Sequence, residues 1–217
     1  MDKRLIAPGR IIVTAGPTIE PIDPVRYISN YSTGTMGYEI AASGVAHGYD
    51  VVLISGPVSL IPPEGVSFQR VTTAGEMKAK VTEELDKCDC IIMSAAVCDF
   101  SPEKKEEQKI KKKEKLVLTL KKNPDILKEI STREDILKIG FALETENERA
   151  NGKKKLKEKN LDLIVVNIKT PEKDPFGEGE KDFLFFYKDG GEKEIKKATK
   201  RQIAEIIINE IGEMHKK

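Results

Sequence analysis

The chain has 217 residues, with 37 lysine or arginine and 36 aspartate or glutamate side chains, and a formal net charge of +1. This near-balance favours neither a nucleic-acid partner nor a membrane surface, since both would call for a marked excess of basic residues. No apolar run approaches the roughly 20 residues that cross a bilayer, and the first ten residues lack the apolar core of a signal peptide, so we expect a cytoplasmic protein in which residues 1–217 form one domain.

Five short, nearly continuous apolar segments predict strands that are buried on both faces. They are Arg10–Ala15, Asp50–Ser55, Cys90–Ala95, Leu137–Ala142 and Leu161–Val166. Apolar or small residues at three- and four-residue spacing predict helices between most of them, at Met36–His47, Ala74–Lys87, Pro124–Thr132 and Asn147–Lys159. The alternation predicts an α/β fold of Rossmann-like architecture. Its sheet is mainly parallel, helices cover both faces, and ligands bind at the carboxyl ends of the strands.

Four segments after residue 102 stand outside this alternation. Residues 103–115 hold seven lysines and four glutamates, which is typical of a solvent-exposed segment, and LVLTL at Leu116–Leu120 predicts an extra strand. Residues 182–198 predict a C-terminal β-hairpin with an Asp-Gly-Gly turn. The chain ends in a predicted helix, Lys200–Met214, with Thr199 as its N-cap.

Cysteine and histidine give no sign of a metal site. The three cysteines are an odd number without CxxC spacing, and they lie in or beside an apolar run. We interpret Cys88, Cys90 and Cys98 as reduced, buried thiols. His47 and His215 are far apart in sequence and outside any cysteine cluster, so no metal site built from protein ligands is expected.

The turn after the first strand fits neither standard formula for binding a nucleotide. TAGPTIEP holds one glycine instead of GxGxxG, and the second strand ends in Ser55-Gly-Pro without an acid for a ribose hydroxyl. No GxxxxGK[ST] occurs, and no tyrosine is followed by a lysine four residues later, as a short-chain dehydrogenase would require. These absences argue against an NAD(P)-dependent reductase and against a P-loop enzyme.

Residues 29–37 can still bind an anion where they lead into the first helix. The backbone N–H groups at a helix start, together with the hydroxyls of Ser32 and Thr33, are suited to holding negative charge. Asn30 adds a neutral amide, which could orient an acyl group or stabilise an oxyanion. The alternative is that the glycine-rich loop only caps the helix.

Four further groups lie at or after later strands, and each has a structural alternative. Residues 94–99 (SAAVCD) combine small residues, which permit close approach of a ligand, with a carboxylate, but could form an ordinary strand-end turn. Asn123-Pro-Asp-Ile could be a helix start with Asn123 as its cap. Phe141 could belong to the core, and Lys155 and Lys159 could form a solvated ridge. Their joint position at the ends of successive strands favours a ligand site.

The motifs together resemble one family. TAGPTIEPIDPVRYISNYSTGTMG, SGPVSL, SAAVCDF, KIKK, KNPDIL, GFALET and KEKNLDLIVVN occur in the order and approximate spacing of phosphopantothenoylcysteine synthetase, over nearly the whole chain. The resemblance implies that 4′-phosphopantothenate condenses with L-cysteine at the expense of CTP and Mg²⁺, through an acyl-cytidylate. In many prokaryotes this synthetase is half of a bifunctional protein, so a decarboxylase domain in cis or in trans is a possible partner.

The resemblance also implies roles for particular residues. Asn30 matches the catalytic asparagine of the family and Lys109, the first lysine of KIKK, matches its catalytic lysine, which also contacts the nucleotide. Arg26 is a candidate for the phosphate or carboxylate of phosphopantothenate. Ser32, Thr33, Gly34 and Gly37 would bind the same substrate. Ser94, Ala95, Ala96, Asp99, Asn123, Pro124, Asp125, Ile126, Phe141, Lys155 and Lys159 would form the nucleotide site.

Two expectations concern movement and assembly. The excess of lysine in residues 103–115 should be offset by a bound triphosphate, so we expect a mobile flap that orders over the nucleotide. The hairpin places Phe183, Phe185 and Tyr187 on one face and Leu184 and Phe186 on the other. An isolated hairpin that is apolar on both faces needs cover on both, and the family is dimeric, so we expect a homodimer. The alternatives in function are an NAD(P)-binding reductase and a non-catalytic nucleotide sensor.

Overall fold

A computed structural model describes residues 9–112, 114–168, 177 and 179–215. The first eight residues, on which part of the signal-peptide argument depends, and residue 113 of the predicted flap lie outside the described residues. No helix of the described part is long and apolar enough to cross a membrane.

Twelve strands and five helices make up the described part of the chain. The strands are β1 (Arg10–Ala15), β2 (Ile19–Pro21), β3 (Tyr27–Ser29), β4 (Asp50–Ser55), β5 (Ser67–Arg70), β6 (Cys90–Met93), β7 (Phe100–Pro102), β8 (Leu120–Lys122), β9 (Leu137–Glu144), β10 (Leu163–Ile168), β11 (Lys181–Tyr187) and β12 (Glu192–Ala198). The helices are α1 (Thr35–Ala46), α2 (Ala74–Leu85), α3 (Ile126–Glu129), α4 (Glu148–Glu158) and α5 (Lys200–Met214).

Eight strands form one sheet in the order β12-β11-β10-β9-β6-β1-β4-β5. The six strands from β10 to β5 are parallel, and β11 and β12 are added antiparallel at the edge beside β10. The predicted mainly parallel, Rossmann-like α/β fold is therefore confirmed. The order of the parallel strands reverses direction between β1 and β6, which is the point where such sheets bind ligands.

The sheet separates two apolar cores. Ile11 and Val13 of β1 face a core that α1 and α5 cover, whereas Ile12 faces a second core covered by α2, α3 and α4. Successive side chains of a strand point to opposite faces, so a strand that is covered on both sides must be apolar throughout. This is why β1 and β4 were predictable to the residue.

The hairpin is confirmed, but its apolar faces are covered within the chain itself. Phe183 and Phe185 enter the core under α1 and α5, and Leu184 and Phe186 enter the other core. Each of these four side chains is at most 3% exposed. The premise that the hairpin needs a second subunit to cover it was wrong, because β11 pairs with β10 and joins the main sheet.

The extra strand predicted at Leu116–Leu120 was mostly wrong. The observed strand β8 begins only at Leu120 and pairs with β7 in a separate two-stranded sheet. Val117 is 87% exposed, so these apolar residues have no core to enter. Apolar character alone therefore predicted a strand that begins earlier than the pairing with β7 does.

The N-cap predicted for α5 was right, whereas the one predicted for α3 was wrong. Thr199 is the N-cap of α5, as predicted, and it forms a full capping box with Gln202, which was not predicted. The helix predicted at Pro124–Thr132 is shorter, and Asp125 rather than Asn123 is its N-cap, with the Asp125 carboxylate accepting a bond from the Lys128 N–H.

Candidate functional site

The candidate site lies at the carboxyl ends of β1, β6 and β9, where the strand order reverses. A cavity of about 450 Å³ opens there, between the loop that follows β6 and the segment that leads into α3. Its wall contains eight of the predicted nucleotide-site residues: Ala95, Asp99, Asn123, Pro124, Asp125, Ile126, Phe141 and Lys159. The fold thus brings together residues that are up to 64 positions apart in sequence, from Ala95 to Lys159.

Six further residues that line the cavity were not named as site residues from the sequence, although five of them lie in the SAAVCDF and KNPDIL motifs. They are Met93, Val97, Cys98, Phe100, Lys122 and Leu127. Phe100 and Lys122 face each other in the β7–β8 pair, which is only three residues long and left no periodic pattern to detect. Lys122 is the first residue of the KNPDIL motif, so its place in that motif was the available signal.

The loop after β6 is fixed to the loop after β1 by backbone hydrogen bonds. The Ala96 N–H donates to the Gly16 carbonyl at 2.9 Å, and the Ala96 carbonyl accepts from the Thr18 N–H at 3.2 Å. The Cys98 N–H donates to the Thr18 hydroxyl at 2.9 Å. Small residues at 94–96 therefore permit close contact between the two loops, and the wall of the cavity is rigid on this side. Ser94 and Ala96 lie in this loop but do not line the cavity.

Asn30 is attached to the same rigid wall. Its Nδ2 donates to the Ala96 carbonyl at 2.9 Å and lies 3.8 Å from the sulfur of Cys98, which lines the cavity. Burial raises the pKa of the Cys98 thiol, which keeps it neutral beside the amide. The Asn30 side chain stands beside the cavity, and its amide donates to the Ala96 carbonyl and more weakly to the Cys98 sulfur.

The glycine-rich turn into α1 has a left-handed residue at its cap. Gly34 has φ +79° and caps α1 without a side-chain bond, while the Ser32 hydroxyl accepts from the Gly34 N–H at 3.3 Å. A Cβ at Gly37 would lie 2.5 Å from the Cβ of Ala15, so close packing of α1 on β1 already requires this glycine. Thr33 is exposed and its hydroxyl pairs with that of Thr35. Whether these residues bind substrate stays a prediction.

Two predicted lysines differ in their surroundings. Lys159 lines the cavity and pairs with Asp125 at 3.2 Å. Lys155 lies outside the cavity wall and pairs with the buried carboxylate of Glu144 at 2.7 Å. A ligand phosphate would have to compete with these carboxylates, and the competition is harder at Lys155 because its partner is only 8% exposed.

Arg26 and Lys109 lie apart from the cavity wall. The Arg26 guanidinium donates to the carboxylate of Asp23 and to the backbone carbonyl of Ile110. Lys109, the residue before Ile110, is exposed. A substrate that contacts both the cavity and these two residues would have to extend out of the cavity towards Arg26 and Lys109.

Two carboxylates at the cavity, Asp99 and Asp125, suit a divalent ion that is bound mainly by phosphate oxygens. Mg²⁺ is commonly held by one or two carboxylates together with substrate phosphates and waters. Among the described residues, no group of three or more histidine, cysteine or acidic side chains could hold a metal ion alone.

Comparison with known proteins gives a consistent result. A family model described as the DNA/pantothenate metabolism flavoprotein C-terminal domain matches residues 6–214. The coenzyme A biosynthesis bifunctional protein CoaBC of Bacillus subtilis (strain 168) is 42% identical over 210 residues, covering 95% of this chain and 52% of that protein. The chain thus spans about half the length of the curated relatives it matches.

Solved structures share the fold. The crystal structure of the C-terminal domain of CoaBC superposes with a TM-score of 0.83 and is 36% identical, covering 96% of both chains. A Cab2 mutant in complex with phosphopantothenate-cysteine superposes with a TM-score of 0.80, covering 96% of this chain and 86% of that one. At 19% identity the second likeness concerns the fold alone.

Proposed function

The chain belongs to the DNA/pantothenate metabolism flavoprotein C-terminal domain family, and from this premise we propose that it ligates 4′-phosphopantothenate with L-cysteine in coenzyme A biosynthesis. The observation that carries the proposal is the cavity at the strand ends, whose wall contains eight of the nucleotide-site residues that the motifs indicated. Its volume of about 450 Å³ falls within the range of roughly 300–1,000 Å³ that is usual for small-molecule sites.

We propose CTP and Mg²⁺ as co-substrate and ion. In the first step, a carboxylate oxygen of phosphopantothenate forms a bond to the α-phosphorus of CTP, and the bond from that phosphorus to the β-phosphate oxygen breaks. Pyrophosphate leaves with its electron pair. In the second step, the cysteine amine bonds to the acyl carbon and loses a proton, while CMP departs. Phe141, Ile126 and Asp99 all line the cavity. This supports a proposal in which the two apolar side chains contact the base and the Asp99 carboxylate contacts the metal or the ribose.

Two residues are proposed to act on the reacting atoms. Lys109 would offset the negative charge that develops on the α-phosphate and on pyrophosphate in the first step. Asn30 would donate to the acyl oxygen in the second step. Its attachment to Ala96 favours this role, because a donor that is already oriented costs little reorganisation during the reaction. The glycine-rich turn and Arg26 would hold the phosphopantothenate side.

A dinucleotide-dependent reductase is disfavoured by the end of β4. In the dinucleotide fold, a carboxylate at this position holds the ribose. Here the residue is Ser55, which is buried and donates its hydroxyl to the Gly56 carbonyl at 2.9 Å. A Cβ on Gly56 would lie 1.8 Å from the Pro17 carbonyl oxygen, so the β1 loop closes the space. A nucleotide sensor without catalysis remains the second candidate, since it would use the same cavity.

We retain the homodimer and the cytoplasmic location as proposals. The hairpin does not support the dimer, because its faces are covered within the chain. Exposed apolar side chains lie instead near β3 and before β8: Tyr27 is 58% exposed, Tyr31 89% and Val117 87%. A dimer that covers these residues would fit their exposure. Relatives about twice as long make a decarboxylase domain in cis or in trans a possible partner.

Pyrophosphate release tests the proposed function. CTP, Mg²⁺ and 4′-phosphopantothenate are mixed with the protein, with and without L-cysteine, and the acyl product is identified by mass. The proposal predicts at most about one equivalent of pyrophosphate without cysteine, and continuous release with formation of 4′-phosphopantothenoylcysteine when cysteine is present. CTP binding without any pyrophosphate would favour the sensor.

A further inference from the structure

A buried carboxylate in the loop between β2 and β3 has no role in the reaction described above. Asp23 is 3% exposed, yet its two oxygens accept five hydrogen bonds. One oxygen accepts from the backbone N–H groups of Val25 and Arg26 at 2.8 and 2.9 Å. The other accepts from the Arg26 guanidinium and from the backbone N–H of Ile110 at 3.0 Å. The Arg26 guanidinium also holds the pKa of the Asp23 carboxyl well below its ordinary value.

The bond to Ile110 joins parts of the chain that are 87 residues apart. Both backbone groups of Ile110 are held, because its N–H donates to Asp23 and its carbonyl accepts from Arg26 Nη2 at 2.9 Å. A further bond, from the Glu106 N–H to the Ile22 carbonyl at 2.9 Å, attaches the same segment to the same loop. Residues 103–112 therefore dock on the Asp23 loop through backbone groups, while most of their charged side chains remain exposed.

The docking explains how a segment rich in lysine can have a defined position. Its like charges repel one another, and an exposed charge pair would do little to hold it. The hydrogen bonds from the Asp23 carboxylate and the Arg26 guanidinium to backbone groups hold the segment more firmly. Hydrogen bonds to a charged group are stronger than those between neutral groups. Because consecutive Cα atoms are about 3.8 Å apart, a fixed Ile110 also restricts the position of the Lys109 Cα.

We propose that Asp23 is a positioning residue that, together with Arg26, fixes the backbone at Ile110 and thereby places Lys109 for the first half-reaction. The inference rests on the proposed function for the role of Lys109, but the docking itself does not. Asp23 does not contact the cavity, so it acts only through the segment that it holds.

Limited proteolysis tests the docking without any reaction. Trypsin cleavage after Lys111 and Lys112 is followed by mass in the full chain, for wild type and for Asp23→Asn. The substitution removes the charge and turns an N–H group towards Arg26, so cleavage should be about tenfold faster or more. Asp135→Asn is the matched control, because Asp135 also accepts two bonds from one arginine, Arg133, but lies before the amino end of β9, away from the cavity. Equal cleavage in Asp23→Asn and wild type would overturn the proposal.

A second variant covers the case in which Asp23→Asn unfolds. Ile110→Pro removes the N–H that Asp23 binds while the Asp23–Arg26 pair stays intact. Thermal unfolding should remain close to wild type, since Ile110 belongs to neither apolar core. Cleavage after Lys111 and Lys112 should again be faster, and unchanged cleavage contradicts the proposal.

A double-mutant cycle tests the link to Lys109. Acyl-cytidylate formation is measured in single turnovers for Asp23→Asn, Lys109→Gln and the double variant. Asp23→Asn alone should slow acyl-cytidylate formation about tenfold or more. In the Lys109→Gln background, the same substitution should lower the rate by less than about twofold. Additive losses would show that Asp23 acts elsewhere and would overturn the inference. If wild type forms no acyl-cytidylate, the proposed function fails, while the proteolysis result still decides whether Asp23 holds the segment.

Discussion

Asn30 and Lys109 lie at the same end of the sheet but are held in different ways. Asn30 is hydrogen-bonded through its side chain to a loop that is itself pinned to the loop after β1. Lys109 is exposed on a segment that reaches the rest of the domain through a few backbone bonds at Glu106 and Ile110. One side of the site is therefore preorganised, whereas the other carries its charge on an exposed segment that only a few bonds attach to the domain.

The largest effect is expected on the preorganised side. Asn30→Asp replaces the amide donor by a carboxylate that repels a developing oxyanion, so transfer of the acyl group to cysteine should fall by about 10²–10³-fold. Steady-state formation of phosphopantothenoylcysteine measures the loss. Asn209→Asp makes the same chemical change on the exposed face of α5 and should retain wild-type rates. A loss below about tenfold would remove Asn30 from the second step.

The next largest effect is expected at Lys109, in the lysine-rich segment. Lys109→Gln removes a cation from the segment and should slow acyl-cytidylate formation by about 10²-fold or more. Rapid-quench measurement with labelled CTP follows this step. Lys105→Gln, an exposed lysine of the same segment, is the matched control and should leave the step unchanged. Equal losses in the two variants would mean that only the summed charge of the segment matters.

A smaller effect is expected for the base of the nucleotide. The cavity wall includes the rigid loop after β6, and a fixed wall discriminates between bases better than a mobile one. The resemblance predicts CTP, and we expect kcat/KM for CTP to exceed that for ATP by about tenfold or more. Steady-state kinetics with both nucleotides provide the measurement. Equal values would refute the preference for cytidine.

The smallest effect is expected for the protease sensitivity of residues 103–115 when the nucleotide binds. CTP with Mg²⁺ should offset the lysine charge of residues 103–115 and slow trypsin cleavage there several-fold, through the ordering of the segment. Cleavage elsewhere in the chain serves as the internal control. Cleavage of the segment that saturating CTP and Mg²⁺ leave unchanged would contradict a flap that closes over the nucleotide.

The sequence predicted those parts of the molecule that repeat a local pattern. β1, β4 and α5 matched to the residue, because a strand between two cores and an amphipathic helix each impose their periodicity on every position. The same reasoning failed at Leu116–Leu120, where the apolar pattern was present but no partner strand covers Val117. Burial depends on a distant segment, which a local pattern does not report.

Some residues of the candidate site were likewise predicted from the sequence, and others were missed. Ala95, Asp99, Asn123, Phe141 and Lys159 were predicted because they lie in the motifs that carry the family resemblance. Cys98 and Lys122 were missed, since the β7–β8 pair and the bond from Asn123 Nδ2 to the Cys98 carbonyl bring them to the cavity from 24 residues apart. The link from Asp23 to the lysine-rich segment was not predicted, because its partner there is the backbone N–H of Ile110, which no residue type reveals.

One measurement tests most directly whether the two sides serve different half-reactions. Wild type, Asn30→Asp and Lys109→Gln are each mixed with labelled CTP, Mg²⁺ and phosphopantothenate, quenched in single turnovers, and the acyl-cytidylate is detected by mass before and after cysteine is added. We expect Asn30→Asp to accumulate the acyl-cytidylate and to pass it on to cysteine slowly, while Lys109→Gln forms almost none. If the Asn30 variant accumulates none while the Lys109 variant does, the assignment of the two roles is contradicted.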